Sequence, residues 1–422
     1  MQTLKTYPCG LRVINDYMPD RQVENVSFFV ASGSGYDLKG KDGIAHFYEH
    51  MFFKSTKNRT SYQVNLELDS LGAGGNAYTG HDRTCYYSKV VNDKTEKLFD
   101  ILSDCFFNGL FLEEEIKTEK GVVCSEIDRY KDDFLDCAID AFNQEMFEGT
   151  SFAHPILGSK ESVNSITAQD LKRYRQENNT PHRLIISTAG GVSDEEIERL
   201  VEKYVLPHLI GEKSPLVYKD TKQTKIQVKQ HFVFTPKDTQ QVYFLTGTPI
   251  SRKDSPDFAK AQLASIIFGG TISSRLFQRL REKEGIVYTA QSMCDSLALS
   301  GVFNAFLITN KDTAKQAISA YKDEVQKVID SGFTQEEVNQ GKILIEANIK
   351  ISNDSLDSRA RRNASSILDK GIMYNSKEQI EKIRAISKDE LNEYIKKVFE
   401  DENFLVSVVS KENNIDILEL LK

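Results

Sequence analysis

Short apolar blocks alternate with stretches of helical spacing along the first half of the chain. "LRVIND" (Leu11–Asp16) and "NVSFFVASGSG" (Asn25–Gly35) read as strands, because blocks rich in Val, Ile and Phe end at turn residues. Helical spacing follows over Ile44–Lys54 and Ser61–Leu71, then strand-like "GGNAYTG" and "TCYYSKVV". Long helical patterns run from Lys94 to Phe107 and from about Glu113 to Glu148. A strand, "HRLIISTAG", and a helix starting near Asp194 close this half.

The second half repeats the plan. Strands "HFVFT" and "QVYFLTGT" precede helices at Asp257–Phe268 and Ser274–Lys283; strands "IVYTAQSM" and "GVFNAFLIT" follow. Helices over Lys311–Ser331, Gln335–Ile351 and Leu356–Lys370 lead to a last strand, "FLVSVVS". Clustered strands and runs of helices, used twice, predict an α+β protein of two similar domains. The expected division is 1–210 and 231–422, with the polar stretch 211–230 as linker.

Length agrees with that division, since 422 residues exceed what one hydrophobic core holds. A net charge of −8 and the lack of a basic block argue against nucleic-acid binding. No run of apolar residues is long enough to span a membrane, and the first residues lack a secretory pattern. Cys9, Cys85, Cys105, Cys124, Cys137 and Cys294 form no CxxC pair and read as reduced thiols, so a cytoplasmic location is expected.

Candidate chemistry concentrates in "GIAHFYEHMFFKST" (Gly43–Thr56). On a helix, His46 and His50 lie one turn apart on one face, with Glu49 beside them. His-x-x-Glu-His is an inverted zinc signature, and a catalytic zinc needs a third protein ligand. Glu126, in "EKGVVCSEI", is a candidate; Glu119 lies two helical turns before it on the same face. Ordinary helix histidines and a surface acidic stripe are the plain alternatives. Phe47, Phe52 and Phe53 read as packing for the motif helix. Gly72, Gly74 and Gly75 fit no phosphate loop and read as a turn permitting close backbone approach. His81 and Asp82 read as a hairpin turn with a surface histidine, and His154 as a loop residue without a role.

These segments resemble the M16 metallopeptidases, the family of pitrilysin, insulysin and the mitochondrial processing peptidase. The resemblance rests on "SGSGYDLKGKDGIAHFYEHMFFKST", "GGNAYTGHDRTCYY", "EKGVVCSEI" and "FGGTISSRLFQRLREKEGIVYTAQS", in order along nearly the whole chain. It implies the short, two-domain bacterial branch, each domain a mostly antiparallel sheet covered by helices and forming half of a clamshell. It further implies one Zn2+ per chain on His46, His50 and Glu126, Glu49 as catalytic base, and Glu119 as the supporting carboxylate on the helix that carries Glu126. Asn76 and Ala77 match the edge strand that holds the substrate backbone, and Arg281 and Tyr288 the pair that reaches the substrate from the second domain.

The implied function is zinc-dependent endopeptidase action on peptides or unfolded segments added as a β-strand. The alternative is a noncatalytic partner subunit. Since one chain carries both the zinc motif and the Arg/Tyr pair, a homodimer is expected, with a heterodimer of related chains as the other possibility.

Overall fold

The computed structural model describes residues 2–209, 226–413 and 417–421. Two compact units emerge: Met1–Asp128 with His154–Asp220 and Ile351–Tyr374, and Arg129–Ala153 with Thr221–Lys350 and Asn375–Lys422. The sequence-based division crosses once, at 211–230; the observed units also exchange two internal segments. Residues 211–225 of that expected linker lie outside the described residues.

The first unit holds a six-stranded sheet of β1 (Gln2–Thr6), β2 (Arg12–Tyr17), β3 (Val23–Val30), β4 (Asn76–Thr79), β5 (Thr84–Val91) and β6 (Leu184–Gly190). Its order is β1-β2-β6-β3-β5-β4, and only β2 and β6 run parallel. The second unit holds β7 (Phe232–Pro236), β8 (Gln241–Ile250), β9 (Val287–Ser296), β10 (Gly301–Asn310) and β11 (Leu405–Ser410), ordered β7-β11-β8-β10-β9. Here too one pair, β7 and β11, is parallel. Without β1 the two sheets share one topology, which is the internal repeat that weak sequence likeness left open.

The helices repeat as well. In the first half, α1 (Ile44–His50) and α2 (Ser61–Ser70) precede β4; α3 (Thr95–Asn108), α4 (Glu113–Asp132) and α5 (Phe134–Met146) follow β5. Helices Ala314–Ser331, Gln335–Ser352 and Leu356–Lys370 follow β10 in the same way. The third helix of each series covers the other half's sheet. Helix Leu356–Lys370 lies on β6, β3 and β2, whereas α5 lies on β11, β8 and β7. Matching buried serines tie them down: Ser187 Oγ donates to Ala360 O at 2.8 Å, and Ser407 Oγ to Ala138 O at 2.9 Å.

The single helix expected over Glu113–Glu148 is therefore two. Asp133 breaks it by leaving helical geometry (φ −87°, ψ 110°) and accepting from the Leu135 and Asp136 amides as the cap of α5. The motif helix is also shorter than expected, ending at His50 before a turn. Predicted strand β3 is buried on both faces: Phe28 joins one core with Phe99 and Phe106, and Phe29 packs with Ala364 and Ile367 on the other.

Among the described residues no helix is long and apolar enough to cross a membrane. All six cysteines are free.

Candidate metal centre

Helix α1 is short, so its placement depends on its ends. Gly43 enters it with φ 88°, and a Cβ there would stand 2.4 Å from Leu157 O. The cap comes from outside the helix: the half-buried Asp37 carboxylate accepts from Gly43 N at 2.6 Å and Ala45 N at 2.9 Å. Burial pushes the Asp37 pKa up to about 8 against those two bonds. Phe47 is fully buried, and Phe52 stacks on Tyr86 of β5 at 3.8 Å, so these rings pack the motif against the sheet. Gly75 approaches closely, since a Cβ would meet the Phe53 ring at 2.7 Å.

Helix α4 turns Ile116, Glu119, Val123 and Ile127 inward. Two carboxylates thus lie along an apolar stripe: Glu119 within it and Glu126 at its margin, half-buried. His46, His50 and Glu126 each offer a ligand atom, all within 4.8 Å of one another. Glu126 Oε2 stands 3.2 Å from His50 Nε2 and 3.6 Å from His46 Nε2. Donors on a tetrahedral zinc with bonds near 2.0–2.1 Å sit about 3.3 Å apart, so both separations from Glu126 match that ion.

The other side of His50 is held by Glu119, whose Oε2 lies 3.2 Å from Nδ1. Lys54 Nζ donates to Glu119 Oε1 at 2.5 Å. With Nδ1 donating to Glu119, the lone pair of Nε2 faces Glu126 and His46, as a metal-ligating imidazole requires. Burial pulls the His50 pKa down, but the Glu119 bond and nearby Glu126 and Glu49 outweigh it and raise the net value. Burial likewise opposes Glu119, yet His50 and Lys54 hold its pKa below the usual range. His46 is buried, and burial followed by the proximity of His50 lowers its pKa to about 3. Among the described residues its Nδ1 has no hydrogen-bond partner. The pair therefore favours a neutral His46, the form that ligates metal.

Glu49 accepts from Thr79 Oγ1 of β4 at 2.5 Å. Burial raises its pKa, opposed by Thr79 and His50. On β4, the Ala77 amide donates to Asn76 Oδ1 at 2.8 Å, and Asn76 is exposed. Arg281 and Tyr288 lie in the second unit. Arg281 donates to Val287 O at 2.9 Å, and its guanidinium stands 5.6 Å from the Tyr288 ring centre. Tyr288 is 69% exposed.

His81 differs from expectation. It sits in the β4–β5 turn but is half-buried, with Nδ1 3.0 Å from Ser34 Oγ, and burial lowers its pKa. Asp82 pairs with Arg83 at 2.8 Å. His154 is an exposed loop residue 3.8 Å from Asp42.

Sequence reasoning missed Asp37, Lys54 and Thr79. Thr79 lay inside a segment already singled out, "NAYT", and Lys54 interrupts the apolar run after the motif. Asp37 carries no local signal.

The corresponding helix of the second unit lacks this chemistry. Val338, Gly341 and Ile345 are buried there with the spacing of Ile116, Glu119 and Val123, so a glycine stands where α4 has Glu119. Among the described residues, the His46–His50–Glu126 group is the one set arranged to hold a metal.

Two family models match the chain: insulinase (peptidase family M16) over residues 12–160, and peptidase M16 inactive domain over 165–344. An uncharacterized zinc protease of Rickettsia bellii is 32% identical over 351 residues, 82% of each chain. The uncharacterized zinc protease YmxG of Bacillus subtilis is 28% identical over 414 residues, covering 98% of this chain and 99% of that one. A protease from Helicobacter pylori has the same fold, with a TM-score of 0.89 at 20% identity over 97% of this chain and 99% of that one. A peptidase M16 inactive domain from Pseudomonas fluorescens gives a TM-score of 0.85 at 17% identity over 98% of both chains.

Proposed function

Because the chain belongs to the M16 peptidase family, we propose that it is a zinc-dependent endopeptidase acting on peptides or unfolded segments. The observation that carries this reading is the convergence of His46, His50 and Glu126, with Glu49 on the same short helix.

In this reading His46, His50 and Glu126 hold one zinc per chain. Bound zinc supplies Lewis acidity and makes water acidic near neutral pH. Glu49 takes the proton from the attacking water and returns it to the leaving amine. Burial suits it to both steps, since a raised carboxyl pKa lies nearer the working pH. Glu119 fixes the His50 ring and is itself anchored by Lys54.

The substrate is proposed to add to β4, the terminal strand of its sheet, as a further strand. Asn76 Oδ1 would then release the Ala77 amide to a substrate carbonyl. Recognition through backbone implies loose side-chain preference. Arg281 and Tyr288 are included as substrate contacts, and a homodimer as the assembly.

The match of residues 165–344 to an inactive domain motivates the second reading, a noncatalytic subunit. Metal analysis separates the two. The enzyme should carry about one zinc per chain, and its cleavage of an unstructured peptide should stop on chelation and return with zinc. A metal-free chain that cleaves nothing after zinc is supplied would reject the proposal.

A further inference from the structure

Strand β4 has two sides with different duties. Gly80 N donates to Arg83 O at 2.8 Å and closes the β4–β5 hairpin. In an antiparallel ladder, bonded and non-bonded pairs alternate. Tyr78 opposite Cys85 and Asn76 opposite Tyr87 are then the bonded pairs. The backbones of Ala77 and Thr79 consequently turn toward the open edge. The Ala77 amide agrees, since it is given to Asn76 Oδ1 and not to β5.

Side chains alternate independently of that edge. Ala77 packs against the first unit's core, and the Thr79 hydroxyl bonds Glu49. Among the described residues, Thr79 is the one group shown hydrogen-bonding the Glu49 carboxylate. Thr79 thus combines two functions. Its backbone faces the position of an added strand, and its hydroxyl restrains the carboxylate beside the metal ligands.

We propose that Thr79 is the positioning residue for Glu49, holding the base in register with a peptide laid along β4. This rests on the reading in which Glu49 is the catalytic base. A carboxylate on a flexible stem otherwise samples several rotamers, and misplacement by one rotamer removes it from proton-transfer distance. Ordinary satisfaction of a buried polar group is the competing explanation, and it predicts lost stability without a specific kinetic effect.

The test compares Thr79→Val, which keeps the β-branch and shape, with Thr79→Ser, which keeps the hydroxyl. Steady-state cleavage of an unstructured fluorogenic peptide is measured alongside zinc affinity by chelator competition. Thr79→Val should lower kcat by about tenfold or more, with KM and zinc affinity within about twofold of the parent. Thr79→Ser should stay within about threefold of the parent kcat. A crystal structure of zinc-free Thr79→Val should show the Glu49 carboxylate displaced.

An unchanged kcat in Thr79→Val, a loss confined to KM or zinc affinity, or failure of folded Thr79→Ser to restore turnover would overturn the proposal. If Thr79→Val does not fold, Thr79→Ala carries the same expectations. Glu49→Gln, run in parallel, separates the levels: full activity in that variant removes the base assignment itself. A dead Glu49→Gln with a fully active Thr79→Val removes only the role of Thr79.

Discussion

His50 Nδ1 stands 3.2 Å from Glu119 Oε2, across 69 residues of sequence, and this contact sets which nitrogen of His50 faces Glu126 and His46. Glu119→Gln keeps an acceptor for Nδ1–H but removes the charge that polarises the ring. Zinc affinity should fall by about 10-fold to 100-fold, the usual effect of losing such a partner. Chelator competition on the purified variant measures it, and an unchanged affinity would mean that Glu119 is a bystander.

Glu49→Gln should leave zinc content unchanged and lower kcat by about 10²–10⁴-fold, the range for losing a general base. Metal content and turnover are measured on the same preparation. Loss of zinc together with activity would place Glu49 among the ligands.

Arg359 and Asp16 form a two-pronged ion pair, at 2.8 Å and 2.9 Å, that fastens helix Leu356–Lys370 to β2. Asp16 is 1% exposed. Burial would raise its pKa, but Arg359, Gln2 and Asn363 together hold it below the usual range. Arg359→Met strands that carboxylate and should destabilise the protein by about 3 kcal/mol. Adding Asp16→Asn should recover part of the loss. Urea denaturation of both variants tests this.

Glu24 on β3 is fully buried, and burial pushes its pKa up to about 8 against a 2.8 Å bond from the Val192 amide. An unfolded glutamate titrates near about 4.3, so the folded state retains the proton over a wide range. This stability is complete below the unfolded value and is lost as pH rises through the folded one. Melting temperatures should therefore decline from pH 5 to pH 8, and Glu24→Gln should flatten that slope. An equal slope in both proteins would assign the decline to other groups.

The placement of His46, Glu49 and His50 on one face, and of Glu119 and Glu126 on another, follows from helical period, which is local and legible in residue spacing. So does the α+β class, because strand blocks and helical runs each declare their own period. Where the chain departed from that local pattern, short-range chemistry was responsible. Asp133 ended a helix that apolar spacing alone would have continued.

Periodicity carries no information about which faces meet. That α4 turns its carboxylates to α1, that Thr79 reaches Glu49 from 30 residues away, and that Asp37 caps the motif helix were decided by packing alone. The exchange of α5 and helix Leu356–Lys370 between the two sheets is of the same kind. Each amphipathic helix specifies only that it must cover an apolar face. Both sheets offer one with the same topology, and long-range contacts such as Ser187 with Ala360 and Arg359 with Asp16 determine which is covered.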